Sequence, residues 1–536
     1  MLGQVFDKET GRIIDYVKTT RPPEYIACLV DCIRQICHAF KKIKLPCTQK
    51  RVQKALQGYV DNEHALEMFS LSGEDSSAFS RVSSVLWDNI MVGLRLDDAI
   101  PRHGPRATAE SYTTNQKYRF RRWHERLEPY FPLVDNAFST SIGEFCFISN
   151  ELEDVQYVPA SAEQPVKVVQ VPKTLKAPRI IAVEPACMQF AQQAIRGLLY
   201  DVLQSHKLTS GHINFDDQTV NQKHAMTSSK DGLLATIDLS DASDRVPHDL
   251  ALEMFSGNPE LRDAIDACRS TSAKLPNGRK ISPLRKFASM GSSLCFPVEA
   301  MYFYTICVMA VLKFRDLPVS HENCFSVSRD IYIYGDDIIV PVECTASVID
   351  HLHKYNCKVN ADKTFYRGKF RESCGADCYD GIIVTPIYIR SEPPINRQQA
   401  SNLISWTDTA NLLFNKGYIR TSQLMFLRVE KYLGRLPSVH ENSGVLGRHH
   451  HWDYRPPLKF NRRIQQLEMR CWIAQPVYRT DPLDGYAALR KSLSKLNQLK
   501  ELDEPRDKWH LERTARFHAV TLKRGGVPVS YAGLPA

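Results

Sequence analysis

Two adjacent acidic residues carry the strongest chemical signal in this chain. Tyr334-Gly335-Asp336-Asp337 lies between two β-rich apolar runs, in IYIYGDDIIVPV over 331–342. That pattern predicts a hairpin with two carboxylates at a tight turn. The preceding glycine permits the sharp turn and close approach of another group. Carboxylates held on a rigid, partly buried hairpin need partners or a cation; the ordinary alternative is a solvated Gly-Asp turn. A third carboxylate, Asp238, ends the apolar run GLLATID over 232–238, read as a buried strand. Mg2+ takes one or two carboxylates, keeps waters and accepts phosphate oxygens. Two such ions about 3.5–4 Å apart can activate an attacking hydroxyl and stabilise a leaving oxygen. A site of that kind needs carboxylates delivered from separate strands. Asp238 and Asp336 are the first choices as ligands, with Asp337 beside them.

Basic residues supply the complementary charge. Lys173, Lys176 and Arg179 fall in the Pro-rich loop VPKTLKAPR. Cationic groups of this kind hold triphosphates, Arg in bidentate fashion; the alternative is a surface turn. Residues 101–126 hold seven Lys or Arg against two Glu, with Tyr112, Tyr118, Phe120 and Trp123 interleaved. Such a stretch either neutralises phosphates and stacks on bases or forms a charged surface over core aromatics. Residues 490–524, with ten Lys or Arg against five Asp or Glu, fit an RNA groove or a solvated helical face. His449, His450 and His451 point in different directions as neighbours, which argues against a shared zinc ion. Fifteen cysteines show no paired Cys-x-x-Cys pattern. Cys28 and Cys32, and Cys374 and Cys378, are spaced for one helix face and read as small buried thiols of a reducing cytosol.

The elements that must position these groups belong to a large soluble protein. A chain of 536 residues exceeds one core, since cores stop growing at roughly 250–300 residues. Hydrophobic content of 43% and charged content of 24% exclude a disordered or fibrous chain. The net charge of +9 suits a polyanionic partner without requiring one. The charged N-terminus has no apolar signal-peptide core. The run Ala300–Leu312, bounded by Glu299 and Lys313, is short of the roughly 20 residues a bilayer takes and reads as a buried helix. Residues 1–100 are expected to be mainly helical, with Ile26, Leu29, Val30, Ile33 and Ile36 at three-to-four spacing. Strand, loop and strand are expected over 166–184, and a helix from Ala186 to about Ser205. A further helix is expected over 345–356 and a strand pair over 381–389, with helices and Pro-rich loops beyond 395.

Taken in order, these segments resemble the replicase subunit of the small positive-strand RNA bacteriophages, from about residue 166 to 390. VPKTLKAPRIIAVEP resembles the family's triphosphate-contacting finger loop. NFDDQTVNQ resembles its Asp-Gln-x-x-Asn stretch, here Asp217, Gln218 and Asn221. ATIDLSDASD, SMGSSLCFPVEAM and IYGDDI are similar to its first three palm motifs, and KVNADKTFYRGKFRESCGADCYDG to the fourth and fifth. The resemblance implies an α+β right-hand polymerase of fingers, palm and thumb, its antiparallel palm sheet backed by helices. The expected division is an N-terminal region with part of the fingers over 1–165 and fingers over 166–228. The palm would span 229–390, with a fingers insertion around 250–290, and the thumb and C-terminal region 391–536.

The resemblance also implies roles. Asp238, Asp336 and Asp337 would bind two Mg2+ ions, with Mn2+ or Ca2+ able to substitute. Asp244 would lie near the incoming ribose, Ser289 and Gly291 in a flexible loop against template and nucleotide, and Lys363 where a general acid serves pyrophosphate. The chain departs from many polymerases of this fold in carrying Cys295 and Glu299 where Thr and Asn are usual, and Asp241 as an extra acid. The implied activity is primer-independent RNA-dependent RNA synthesis in the cytoplasm of an infected bacterium. RNA template and product and ribonucleoside triphosphates would be its substrates. Elongation factors Tu and Ts and an RNA-binding ribosomal protein of the host would be its partners, and no membrane is involved. A reverse transcriptase would carry a bulky aromatic where Ser243 stands, five residues after Asp238. A non-catalytic RNA-binding protein of the same fold would not need the intact carboxylate set.

Overall fold

The helix Cys295–Phe314 is apolar on every face, and a helix of that kind must be buried all round. In this computed structural model it is the central pillar of the largest core, with nearly every residue from Cys295 to Leu312 inaccessible. The structure describes residues 23–137 and 155–477, apart from 105–106, 113–114, 442 and 450–456, together with 483–499 and 520–532. By length and composition the pillar could cross a membrane, being 20 residues rather than the shorter run expected, but 94% of its most apolar window is buried inside the protein. Trp87, from the helix Gly73–Met91, is fully buried against it and donates from Nε1 to Thr305 Oγ1 at 2.9 Å.

A four-stranded antiparallel sheet lies in the same core. Its order is Lys358–Val359, Leu234–Ser240, Asp337–Pro341, Tyr332–Tyr334. Inner strands rich in Ile and Val suit burial on both faces; Ala235, Ile237, Ile338 and Val340 are buried here. A second sheet pairs Val166–Val171 with Arg179–Val183 and takes in Ala273–Lys274 and Lys280–Ile281, so the chain returns to this sheet after leaving the first. A third, small sheet of Phe370–Ser373, Ala376–Tyr379 and Ile382–Ile383 packs on the helix Thr219–Asp231. Towards the C-terminus the helices Ala400–Asn415 and Ile419–Leu433 build a separate core with a further sheet, around Leu403, Phe426 and Trp472.

The expected helices and hairpin form where the periodicity placed them, including Ala186–Ser205 and Thr345–Lys354. Several expectations change. Ile36 is 71% exposed and leaves the buried stripe of the helix Pro23–His38. Only Ile382–Ile383 of the 381–389 segment forms a strand. Pro386 lacks a ladder donor, and the neighbouring backbone is satisfied by the N-terminal helix region instead: Ile387 N–H donates to Gln35 Oε1, and Ile389 N–H to the Ala39 carbonyl. Cys374 and Cys378 sit on a hairpin rather than a helix, Cys374 in its turn with a φ of 48°.

Phe120 and Trp123 are core residues packed on Phe190, which removes them from any base-stacking platform; Tyr112 and Tyr118 are half-buried. His450 and His451 lie outside the described residues, as do 500–519 of the basic tail segment.

Candidate active site

The turn at Gly335-Asp336 joins two strands of the four-stranded sheet. Gly335 adopts φ +60°, and a Cβ there would run into the Phe296 ring. The turn is therefore wedged against an aromatic cluster in which Phe296 meets Tyr334 edge-on at 5.3 Å and Phe215 at 5.8 Å. Tyr334 donates its hydroxyl to the Phe215 carbonyl at 2.9 Å, and Gln218 Nε2 reaches that hydroxyl at 3.3 Å. Asp217 accepts from the Thr219 N–H and hydroxyl, at 2.8 and 2.6 Å, and orders the entry of the helix Thr219–Asp231. Asn221, in that helix, is fully buried.

Sheet register brings the carboxylates together. Asp238 is the direct cross-strand partner of Asp337, and Asp336 is at the turn beside them. Like charges opposite one another on a sheet repel, and no apolar packing explains placing them so. Burial, then Asp336, Asp238 and Glu372, push the Asp337 carboxyl up to about 7, although the Cys374 N–H donates to it at 3.2 Å. Burial and then the charge of Asp238 raise Asp336 as well. Asp336 keeps a solvent-facing surface, so it is the member of the trio at the mouth of the site.

Asp238 is held from two sides: Lys363 Nζ donates to Oδ1 at 3.0 Å and Asn360 Nδ2 to Oδ2 at 2.8 Å. Lys363 also lies 3.7 Å from Glu372. Burial opposes the ammonium charge of Lys363, but Glu372 and Asp238 outweigh it and raise its pKa. Asn360 and Glu372 were missed in the sequence. Asn360 stands three residues before Lys363 in the same motif, a signal that was available; Glu372 is identified only by the fold.

The remaining expected residues divide. Lys173 is exposed yet close enough to interact electrostatically with Asp336 and Asp238. Lys176 and Arg179 are also exposed, and among the described residues no hydrogen bond or ion pair joins either to the three aspartates. Ser289 is buried with its Oγ 3.1 Å from the Tyr59 hydroxyl. Gly291 has φ +139°, and a Cβ there would strike the Ala182 carbonyl. That loop is thus laid directly on the strand Arg179–Val183, with the Ala182 N–H donating to the Met290 carbonyl at 2.9 Å. Asp244, in the turn Ala242–Arg245, forms an ion pair with the buried Lys286 at 3.0 Å. Glu299 is buried; burial, then Asp336 and Asp244, push its carboxyl well above the usual range.

Among the described residues no three His, Cys, Asp or Glu side chains form a ready-made metal cage. The donor set still fits a hard divalent cation. It is all oxygen, it carries more negative charge than Lys363 and Lys173 offset, and Mg2+ needs only one or two carboxylates. Such an arrangement can gather a cation and phosphate oxygens at one strand-end cleft.

Residues 146–404 match the family model described as RNA replicase, beta-chain. Over 225 residues the chain is 37% identical to the RNA-directed RNA polymerase subunit beta of Escherichia virus Qbeta, covering 42% of this chain and 35% of that one. It is 37% identical over 223 residues to the RNA-directed RNA polymerase beta chain of Enterobacteria phage fr, covering 42% and 37%. The corresponding protein of Escherichia phage MS2 is 35% identical over 237 residues, covering 44% and 39%. The chain thus spans little more than a third of the length of these relatives. Among solved structures, the insertion-loop deletion mutant of the RNA-dependent RNA polymerase of a human picorbirnavirus overlaps 77% of this chain and 82% of its own, with a TM-score of 0.40 at 10% identity.

Proposed function

We propose that this chain, whose residues 146–404 match the RNA replicase beta-chain family model, is the catalytic subunit of an RNA-dependent RNA polymerase copying a viral RNA genome. The observation that carries this reading is the cross-strand pairing of Asp238 with Asp337, with Asp336 at the adjoining turn. In the proposed reaction an RNA 3′-hydroxyl attacks the α-phosphate of a ribonucleoside triphosphate and pyrophosphate leaves in line. Asp238, Asp336 and Asp337 would hold two Mg2+ ions, which supply charge neutralisation to the reacting phosphates. The protein's own contribution is positioning and electrostatics. Asn360 and Lys363 hold Asp238 in its rotamer, the Phe296 cluster fixes the turn, and Lys173 offers positive charge to a polyphosphate. Lys363 would donate a proton to departing pyrophosphate. Lys176 and Arg179 would act from the rim of the loop, and Asp244, Ser289 and Gly291 from the opposite wall, towards sugar and template.

The four-stranded sheet on its buried helix corresponds to a palm over 229–390. The Val166–Val183 hairpin, with the returning 271–284 segment, corresponds to fingers, and the unit beyond 391 to a thumb. Primer-independent initiation, work in the cytoplasm of an infected bacterium, and partnership with host elongation factors Tu and Ts and a ribosomal protein belong to the same proposal. The naming of the relatives as beta subunits supports a chain that works in company. Ser243, small and buried beside Cys295, favours ribonucleotides over the reverse-transcriptase alternative.

The test is Asp336→Asn in a primer-free assay on structured RNA with Mg2+ and four ribonucleotides, with and without bacterial extract. Synthesis should fall by at least about a thousandfold while RNA binding is retained. Equal turnover by variant and parent would refute the metal role, and no synthesis by the parent under either condition would refute the polymerase reading.

A further inference from the structure

One helix outside the matched family segment reaches into three parts of the proposed nucleotide site. Tyr59, Asn62 and Glu63 lie on one face of the helix Gln49–Glu67, at the spacing that makes helical neighbours. All three are buried, at 2%, 6% and 6% exposure. A solvated helix would not hide a carboxylate and an amide on its inner face without partners for them.

Their partners are specific. Lys286 is completely buried, and its ammonium lies 3.1 Å from Glu63 Oε1, 3.0 Å from Asp244 Oδ1 and 3.4 Å from the centre of the Tyr59 ring. A buried ammonium is tolerated only with such close compensation. Glu63 is fixed through its other oxygen by the Arg285 N–H at 2.7 Å. The Tyr59 hydroxyl is 3.1 Å from Ser289 Oγ. Asn62 Oδ1 accepts from Arg245 at 3.0 Å, and Arg245 is further tied to the Asn356 carbonyl at 2.8 Å. Just upstream, Cys47 Sγ lies 3.4 Å from the Thr174 carbonyl, and Arg51 donates to the Leu175 carbonyl within the basic loop.

Among the described residues Asp244 takes hydrogen bonds on its side chain only from Lys286, through one oxygen, and its side chain keeps 16% exposure. We infer that Lys286, held by Glu63 and Tyr59, is the positioning residue that aims the free edge of Asp244 at the 2′-hydroxyl of the incoming nucleotide, making the helix Gln49–Glu67 part of the sugar-selecting apparatus. This inference rests on the polymerase reading for its substrate. A site built to hydrogen-bond a hydroxyl discriminates strongly against an analogue lacking it, and that discrimination depends on how rigidly the acceptor is held. Lys286 does not touch substrate; it acts through Asp244.

The experiment uses the full chain. Calorimetry with Mg2+ gives the affinity for a ribonucleoside triphosphate and its 2′-deoxy counterpart, and kcat and KM are measured for incorporation of each. Lys286→Met should cut the ribo-to-deoxy preference by about tenfold, chiefly through weaker ribonucleotide binding and higher KM, and leave the deoxy values nearly unchanged. Glu63→Gln preserves side-chain size and should cut the same ratio by a few fold; it carries the test if Lys286→Met loses its cooperative thermal transition. Equal loss for both sugars in the folded variants would reduce the network to a structural staple and overturn the inference, as would an unchanged ratio. A parent with no sugar preference in binding or incorporation would overturn it too. A parent that makes no RNA but binds ribonucleotides preferentially, with the preference lost in Lys286→Met, would defeat the polymerase reading and leave this one standing.

Discussion

Aspartates that repel one another across a sheet cost stability, and the surrounding residues show where that cost is contained. Asn360 and Lys363 cover Asp238, the Cys374 N–H covers Asp337, and Asp336 faces outward. Gly335 is the residue on which this geometry turns. Its φ of +60° is unfavourable for a side chain, and the Phe296 ring occupies the space a methyl would need. Gly335→Ala should therefore destabilise the protein by about 1–3 kcal/mol and displace the turn, so that RNA synthesis falls more than global stability would explain. Urea denaturation with a parallel synthesis assay checks both halves. Asp238, Asp336 and Asp337 were legible as a trio because an apolar run ending in Asp and a Gly-Asp-Asp turn each announce a strand end. Glu372 and Glu63 were not. Nothing in their local sequence distinguishes them from surface glutamates, and only the register of distant segments gives them partners.

At the level of elements, periodicity succeeded where a segment's surroundings match its own pattern. The hairpin over 331–342 is two β-rich apolar runs around a central Gly-Asp-Asp turn, and it forms. The helix Cys295–Phe314 has no polar face, so burial was inferable even though its full length was not. The segment after Ile383 looked equally strand-like, yet its backbone hydrogen bonds go to Gln35 and Ala39, a choice made by a helix some 350 positions away in sequence. Phe120 and Trp123 failed as a nucleic-acid signal for a related reason, since interleaved basic residues do not reveal which way the rings point. The pillar helix yields its own prediction. Phe303 is wholly buried in it and packs on Tyr302 at 5.9 Å. Phe303→Ala should cost about 3–5 kcal/mol, read as a lower denaturant midpoint with an unchanged m-value. A shift below 1 kcal/mol would mean that the core can collapse around the void.

Across the whole molecule, the stability of the assembled fold should depend on pH through a group remote from the three aspartates. Glu184 follows the strand Arg179–Val183 and lies fully enclosed, beside Ser270, Gln192, Arg269 and Arg126. Burial pushes its carboxyl up to about 7, against the opposing hydrogen bonds from Ser270 and Gln192 and the two guanidinium charges. A folded-state value above the unfolded one means that the native protein binds the proton more tightly. Its stabilising contribution is complete below the unfolded value of 4.5 and is lost as pH rises through about 7. Asp266 runs the other way. The hydrogen bond from His248, then Arg269, hold it at about 2 despite burial, so its contribution is present above 3.8 and is lost only as pH falls towards 2. With that carboxylate 42% exposed, solvent screening makes it the smaller influence. Up to about pH 7, then, Glu184 contributes to the slope alongside Asp337, whose carboxyl is raised into the same range, with a loss on the order of 2–3 kcal/mol across the full titration of Glu184. Thermal unfolding at pH 5.5, 6.5, 7.5 and 8.5 should show Tm declining with pH in the parent. In Glu184→Gln, which keeps the shape and cannot ionise, the decline should become shallower, the remainder belonging to Asp337, with Tm higher than the parent's at pH 8.5. Parallel declines in the two proteins would mean that this carboxyl is already ionised at neutral pH, stabilised by Arg126 and Arg269 beyond the cost of its burial.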